Sequence, residues 1–372
     1  MQKILLVFLA IFAIVLFSSE TPIVPENLTE ETSIRGHLNT PKNEVVKATT
    51  TPKPTSSGEV GTEASKPNVT IVAKKTETPV QVVIQKPPEP PPDFEKINAF
   101  AREAIVNILC ETKSSQFSPI SGTGVVISPD GVILTNAHIG QYLLLKDYTQ
   151  KDFVSCVIRT GSPAYPRYKT ELIYISPTWI ENNSSVITQT DPQGTGENDF
   201  AILRITETIG GQKPELPLLY LAINATEVIN ENEPVILISY PAGFLGGLSI
   251  IQGLNITSSI TLIKEVFTFR ENTIDLLDVG GTILSQKGSS GGAVVDKNSK
   301  IIGLIVTSSI APTTAERELR AITMAHINRS LKSQLGILIS NFLSIDLAEF
   351  AQSFNQTTAP LLTKIITTQL EK

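Results

Sequence analysis

The stretch that decides the fold is Ser121-Gly122-Thr123-Gly124-Val125-Val126-Ile127-Ser128-Pro129-Asp130-Gly131-Val132-Ile133-Leu134-Thr135-Asn136-Ala137-His138. Two apolar, β-branched runs, Gly124–Ser128 and Gly131–Thr135, flank Pro129-Asp130-Gly131. Branched side chains suit the pleated surface of a strand, and Pro-Asp-Gly between two such runs is a hairpin turn signal. Gly122 and Gly124 permit tight chain geometry. The hairpin delivers Thr135-Asn136-Ala137-His138 at a strand end, where a rigid scaffold presents functional side chains.

Working outward, the same pattern repeats. Strands are predicted over Ala104–Cys110, Ser155–Arg159, Glu171–Ile175, Phe200–Ile205, Pro234–Ser239, Ser249–Ile256, Thr261–Arg270, Ala293–Asp296, Ile301–Ser308 and Ala321–Ala325. Short strands separated by turn residues, with no long helix until about Ile327, indicate an all-β sandwich or barrels. Asp93 can cap a short helix through Phe94, Ile97 and Phe100 before the first strand. From Leu331 onward the apolar residues Leu343, Leu347, Phe350 and Phe354 recur at helical spacing, with a break near Thr357–Pro360. That C-terminal stripe reads as packing surface.

The N-terminal part is different. Lys3 precedes the apolar run Ile4–Phe17, matching the charged and hydrophobic regions of a signal peptide. The run is shorter than the ~17 residues a spanning helix needs. No small-residue cleavage site follows, so residues 1–19 are read as a signal peptide or an uncleaved N-terminal membrane anchor. Either way the rest is exported. Residues 20–93 are rich in Pro, Thr, Ser, Glu and Lys and lose all apolar periodicity, ending in the stiff Pro87-Pro88-Glu89-Pro90-Pro91-Pro92. Such a segment buries too little apolar surface to offset its ordering entropy and reads as a disordered stalk. The folded domain is placed at 94–335, with its two halves at 97–215 and 216–335, and a helical extension at 336–372.

Composition narrows the function. The 372 residues are 41% hydrophobic and 18% charged, which suits a globular protein and excludes a polytopic membrane protein. With Lys+Arg 30 against Asp+Glu 36, the net charge of -6 gives no basic surface for nucleic acid. The 2 cysteines, Cys110 and Cys156, cannot build a disulfide-rich scaffold or a four-ligand zinc site. They are either two buried thiols or one bridge, since both lie in predicted strands of the first half.

There are 3 histidines. His37 lies in the stalk, and His326 lies beyond the last predicted strand and reads as structural. His138 closes the hairpin. Asp199 sits in Glu197-Asn198-Asp199-Phe200-Ala201-Ile202-Leu203, immediately before an apolar strand. Ser290 sits in Lys287-Gly288-Ser289-Ser290-Gly291-Gly292-Ala293, also leading into a strand. A phosphate loop would need a Lys-Ser/Thr ending and a following helix, so that reading fails. Together the three make a mechanism. A serine hydroxyl is a weak nucleophile that needs a base within reach, which is His138. Asp199 would fix the imidazole tautomer and stabilise the imidazolium. The backbone N–H groups of Gly288 and Ser290 would receive the developing oxyanion, each such donor being worth about 3–4 kcal/mol. The chain order His, Asp, Ser separates this arrangement from the subtilisin and α/β-hydrolase orders.

The segments SGTGVVIS-PDG-VILTNAH, NDFAIL and GSSGGAVV…IIGLIV resemble the trypsin-like serine proteases, and most of all the bacterial HtrA/Deg branch, over residues 97–335. The resemblance implies two six-stranded β-barrels of the chymotrypsin type, His138 and Asp199 on the first and Ser290 on the second. It implies a serine endopeptidase acting on protein or peptide substrates, with no cofactor and no metal. It puts the wall of the substrate pocket near Val306, Thr307 and Ser308 and its base near Leu284. No acid lies there, which implies small or aliphatic residues before the cut bond. The chain departs from the pattern in three ways. Residues 336–372 are too few for the PDZ domain of the HtrA branch, Ser289 replaces an Asn, and no activation sequence precedes the domain. Two other functions fit parts of the sequence. One is a catalytically silent protease-fold protein that binds peptides at the cell surface. The other is an adhesion protein on a stalk, which leaves the triad without a purpose.

Overall fold

In the computed structural model the described residues are 91–113, 119–189, 194–270, 272–309 and 311–372. The signal or anchor segment, the stalk up to residue 90 and His37 lie outside them, as do the side chains of Thr307 and Ser308.

Six antiparallel strands close the first barrel: β1 (Ile105–Thr112), β2 (Ile120–Val126), β3 (Val132–Thr135), β4 (Val154–Thr160), β5 (Tyr165–Ile175) and β6 (Ala201–Thr208). Their order is β1-β2-β3-β6-β5-β4, and β4 returns to β1. Closure removes the unpaired edges that would otherwise template aggregation. Its strands bury Ile105, Ile108, Ile133, Leu134 and Ile158 almost completely, on the inner face and beneath the packed helices and second half on the outer one. Each such burial stabilises by about 1.5–3 kcal/mol. Gly122 and Gly124 serve this packing and not a turn. A Cβ on Gly122 would lie 2.3 Å from Ile139 and one on Gly124 2.7 Å from Ile133. The turn belongs to Gly131, at φ +83°. Cys110 and Cys156 face each other across β1 and β4 and are joined by a disulfide.

The second half is an eight-stranded sheet: β7 (Ala222–Ile223), β8 (Pro234–Ser239), β9 (Thr257–Leu262), β10 (Glu265–Phe267), β11 (Leu276–Asp278), β12 (Ala293–Val295), β13 (Lys300–Ser308) and β14 (Leu319–Thr323). Its path is β10-β11-β14-β13-β12-β8-β9, with β7 added parallel to β13. The path's two end strands, β9 and β10, are consecutive in the chain and separated only by Ile263 and Lys264. The sheet therefore curls back on itself through a covalent corner, not through a closing ladder. Its own core gathers Val235, Leu237, Ile263, Leu277, Leu284 and Leu319.

Helices fill the gaps. α1 (Phe94–Arg102) is capped by Asp93, whose carboxylate accepts from Lys96 N. α2 (Ala137–Leu144) follows β3 directly, and α3 (Pro177–Asn183) follows β5. Three strand expectations need correction. Ser249–Ile256 is largely α4 (Gly247–Gln252) and coil. The carbonyls of Ile250 and Ile251 there accept from the buried Arg159 guanidinium, so their partner is a side chain and not a neighbouring strand. Thr261–Arg270 is broken at the Ile263-Lys264 corner. Ala321–Ala325 ends at Thr323, because the Thr323 hydroxyl accepts from His326 N and starts α5 (Met324–Leu335).

The C-terminal residues form α6 (Ile339–Phe342), α7 (Leu347–Thr357) and α8 (Ala359–Leu370). They pack on the first barrel: the buried Tyr174 ring lies 6.4 Å from Phe342 and 5.8 Å from Phe354. Asn355 donates to Leu172 O, and Thr363 donates to Leu144 O at the end of α2. Among the described residues no helix is long and apolar enough to cross a membrane.

Candidate active site

His138 is the second residue of α2, placed there by the β2–β3 hairpin. Asp199 lies just ahead of β6, which pairs with β3 in register Thr135↔Ala201, so the ladder brings the two together. His138 N donates to Asp199 Oδ1 at 2.9 Å, and His138 Nδ1 lies 2.7 Å from Asp199 Oδ2. A carboxylate only accepts, so Nδ1 carries a proton, and in the neutral tautomer Nε2 is the free acceptor. Asp199 is buried and His138 is 21% exposed at its side chain. Asn136 donates to Asp199 O, and Gln141 donates to His138 O.

The turn that presents Asp199 is itself constrained. Asn198 has φ +58°, and Asp199 N donates to Gly196 O. Gly196, at φ +82°, must lack a side chain, because a Cβ would lie 2.8 Å from Val306.

Ser290 belongs to the loop before β12. Gly291 is at φ +83°, and a Cβ there would lie 1.9 Å from Thr123 O. That contact marks how closely the loop approaches β2. Thr123 joins the halves: its N–H donates to Ser290 O at 2.8 Å and its hydroxyl to Gly288 O at 2.7 Å. Its hydroxyl also accepts from Tyr240 N, and its carbonyl accepts from Thr135 Oγ1, three residues before His138. Thr123 is fully buried, and the sequence reading missed it. Its only signal was a hydroxyl side chain between two glycines ahead of an apolar strand. Ser289 is buried and accepts from Ser239 Oγ at 3.0 Å.

Ser290 Oγ donates to Val306 O at 3.5 Å, and among the described residues no hydrogen bond joins it to His138. The N–H groups of Gly288 and Ser290 donate to no acceptor among the described residues. Gly288 sits at φ +90°, a conformation that favours glycine. Leu284 lies in the second core, fully buried. Val306 is buried as well and offers its carbonyl to the serine. Thr307 and Ser308 continue β13 beyond it.

His326 stands near the N-terminus of α5, with Nδ1 3.0 Å from Asp275 Oδ1. Burial would raise the Asp275 carboxyl. Hydrogen bonds from Thr273, Phe269 N, His326 and Arg329 outweigh burial and hold it well below the usual carboxylate range. Burial pushes the His326 imidazole below its ordinary value. Among the described residues no group of His, Cys, Asp and Glu could hold a metal ion.

Residues 122–304 match the trypsin-like peptidase domain family. A comparison with curated proteins found no match. Solved structures similar to the chain include the active form of the Rv3671c protease from M. tuberculosis. It is 21% identical, over 70% of this chain and 93% of that one, with a TM-score of 0.41. The serine endoprotease from Yersinia pestis is also 21% identical, over 66% of this chain and 67% of that one, with a TM-score of 0.42. Deg5 is 15% identical, over 64% and 93%, with a TM-score of 0.41. On this match and the β-barrel architecture, residues 122–304 form a trypsin-like peptidase domain, and the chain is a serine endopeptidase.

Proposed function

We propose that the chain cuts peptide bonds in exported or misfolded proteins through His138, Asp199 and Ser290. The observation that carries this reading is the two-point grip of Asp199 on His138, at 2.9 and 2.7 Å, in the presence of the Thr123-anchored Ser290 loop. In the reaction Ser290 Oγ would leave Val306 O and donate to His138 Nε2. His138 would then accept the hydroxyl proton as Oγ attacks the substrate carbonyl. Asp199 would hold the imidazolium, and the unengaged N–H groups of Gly288 and Ser290 would donate to the oxyanion. His138 would return the proton to the leaving amine, and water would release the acyl group by the reverse steps. The pocket beside Leu284, Val306, Thr307 and Ser308 would take a small or aliphatic residue.

The Cys110–Cys156 bridge favours an oxidising compartment, in line with export through the N-terminal segment as signal peptide or anchor. If that segment stays uncleaved, it would hold the enzyme on a membrane, with residues 20–93 as a tether. The test is labelling of the domain from Asp93 onward with a fluorophosphonate probe. Labelling that disappears in Ser290→Ala and in His138→Ala supports the triad. A folded domain that does not label points instead to a protein that binds peptides without cutting them.

A further inference from the structure

A second buried His–Asp pair lies behind the turn that presents Asp199. His326 is 8% exposed, and its backbone N–H is held by the Thr323 hydroxyl at 3.0 Å. The Asp275 carboxylate takes hydrogen bonds from Phe269 N at 2.7 Å and Thr273 Oγ1 at 2.6 Å, and it pairs with Arg329, which also pairs with Glu227. So enclosed by donors, Asp275 can only accept from His326 Nδ1, which fixes the proton there and leaves Nε2 as an acceptor. The donor facing Nε2 is Asn198 N, at 3.4 Å. Ser330, one helical turn further along α5, donates to Asn198 Oδ1 at 2.6 Å. Asn198 immediately precedes Asp199 and holds a left-handed φ of +58°, a conformation that Asn adopts more readily than other non-glycine residues.

We infer that His326 is a positioning residue of the peptidase: through Asn198 it locks the turn that aims the Asp199 carboxylate at His138. The inference rests on the triad reading above. The polar line runs from Asp275 through His326 and Asn198 to Asp199 and His138, so an end in the second half sets a group of the first barrel. Misplacing a catalytic group by even an ångström costs rates up to about a hundredfold.

The experiment compares His326→Asn with His326→Gln. An Asn amide can serve Asp275 but is too short to reach Asn198, whereas a Gln amide reaches the position of Nε2. The second-order rate of fluorophosphonate labelling should fall about tenfold to a hundredfold in His326→Asn and stay within about threefold of wild type in His326→Gln. Equal rates in the two variants overturn the inference. If the wild type does not label at all, the triad reading fails. The inference is then judged on the downfield proton between His138 and Asp199, identified by its loss in His138→Ala. That resonance should move in His326→Asn and not in His326→Gln; the same position in both overturns the inference. A check on the wild type needs no variant to fold: the ¹⁵N shift of His326 should report an unprotonated Nε2 at neutral pH, and a protonated Nε2 overturns the inference.

Discussion

His138 is the second residue of α2 and His326 the third of α5, and each turns Nδ1 to an aspartate lying just ahead of a strand, at 2.7 Å from Asp199 and 3.0 Å from Asp275. The surroundings separate them. Asp199 gives both oxygens to His138, and the His138 side chain is 21% exposed with Nε2 unengaged among the described residues. Asp275 is shared among Thr273, Phe269, Arg329 and His326, and His326 Nε2 already receives a backbone N–H. On the proposed reading the same two side chains make a base where the Nε2 lone pair is left unengaged. Where burial and a fixed donor use that lone pair, they make a brace.

The largest effect should appear on the first pair alone. Ser290→Ala or His138→Ala should cost about 10⁶ in turnover, and Asp199→Asn about 10⁴, with the melting temperature little changed. An Asp199→Asn enzyme as fast as wild type would erase the distinction between the pairs. Asp275→Ala should act the other way round. Arg329 keeps Glu227, but the buried donors His326 Nδ1 and Phe269 N lose their acceptor, which should cost about 1–3 kcal/mol as measured by chemical denaturation. A loss below about 1 kcal/mol would mean that the second pair braces nothing.

A comparable effect on stability concerns the barrel that carries the first pair. Replacing Cys110 and Cys156 together by Ala should lower stability by about 2–4 kcal/mol, while the labelling rate of the folded protein stays close to wild type. A large loss of labelling in folded protein would tie the bridge to the site.

The smallest effect is a pH window. Burial lowers the His326 imidazole from its ordinary 6.5 and so favours the neutral ring; Asp275 opposes this, Arg329 adds to it and Glu197 opposes it. A folded value below the unfolded one means that the unfolded chain takes up the proton first. The stability contributed is therefore full above about 6.5 and is lost as pH falls through the lowered value. Asp275 follows the same sign in a lower window, beginning at its ordinary 3.8. A melting curve against pH should lose the upper step in His326→Gln and keep the lower one. An unchanged upper step would assign it to another group.

Much of this could be read along the chain. Alternation, β-branching and Pro129-Asp130-Gly131 are local signals, so the first hairpin and most strands were legible, as were the three segments carrying His138, Asp199 and Ser290. Ser249–Ile256 misled because Ile250, Ile251 and Ile256 have strand propensity, while the partner that sets their structure, Arg159, is remote in sequence. Residues 137–144 form a helix too short to show a helical period, and Asn136 caps it without a side-chain hydrogen bond.

By itself the sequence determined the β class and the three segments that carry His138, Asp199 and Ser290, because each depends on residues next to one another. Tertiary structure alone decided that Thr123 ties the Ser290 loop to the first barrel and that the second sheet turns its corner at Ile263-Lys264. It also made His326, a histidine with no motif around it, the neighbour of Asn198. Those contacts join residues that are far apart in the chain, and a hydrogen bond between distant residues leaves no period and no turn signal in either segment.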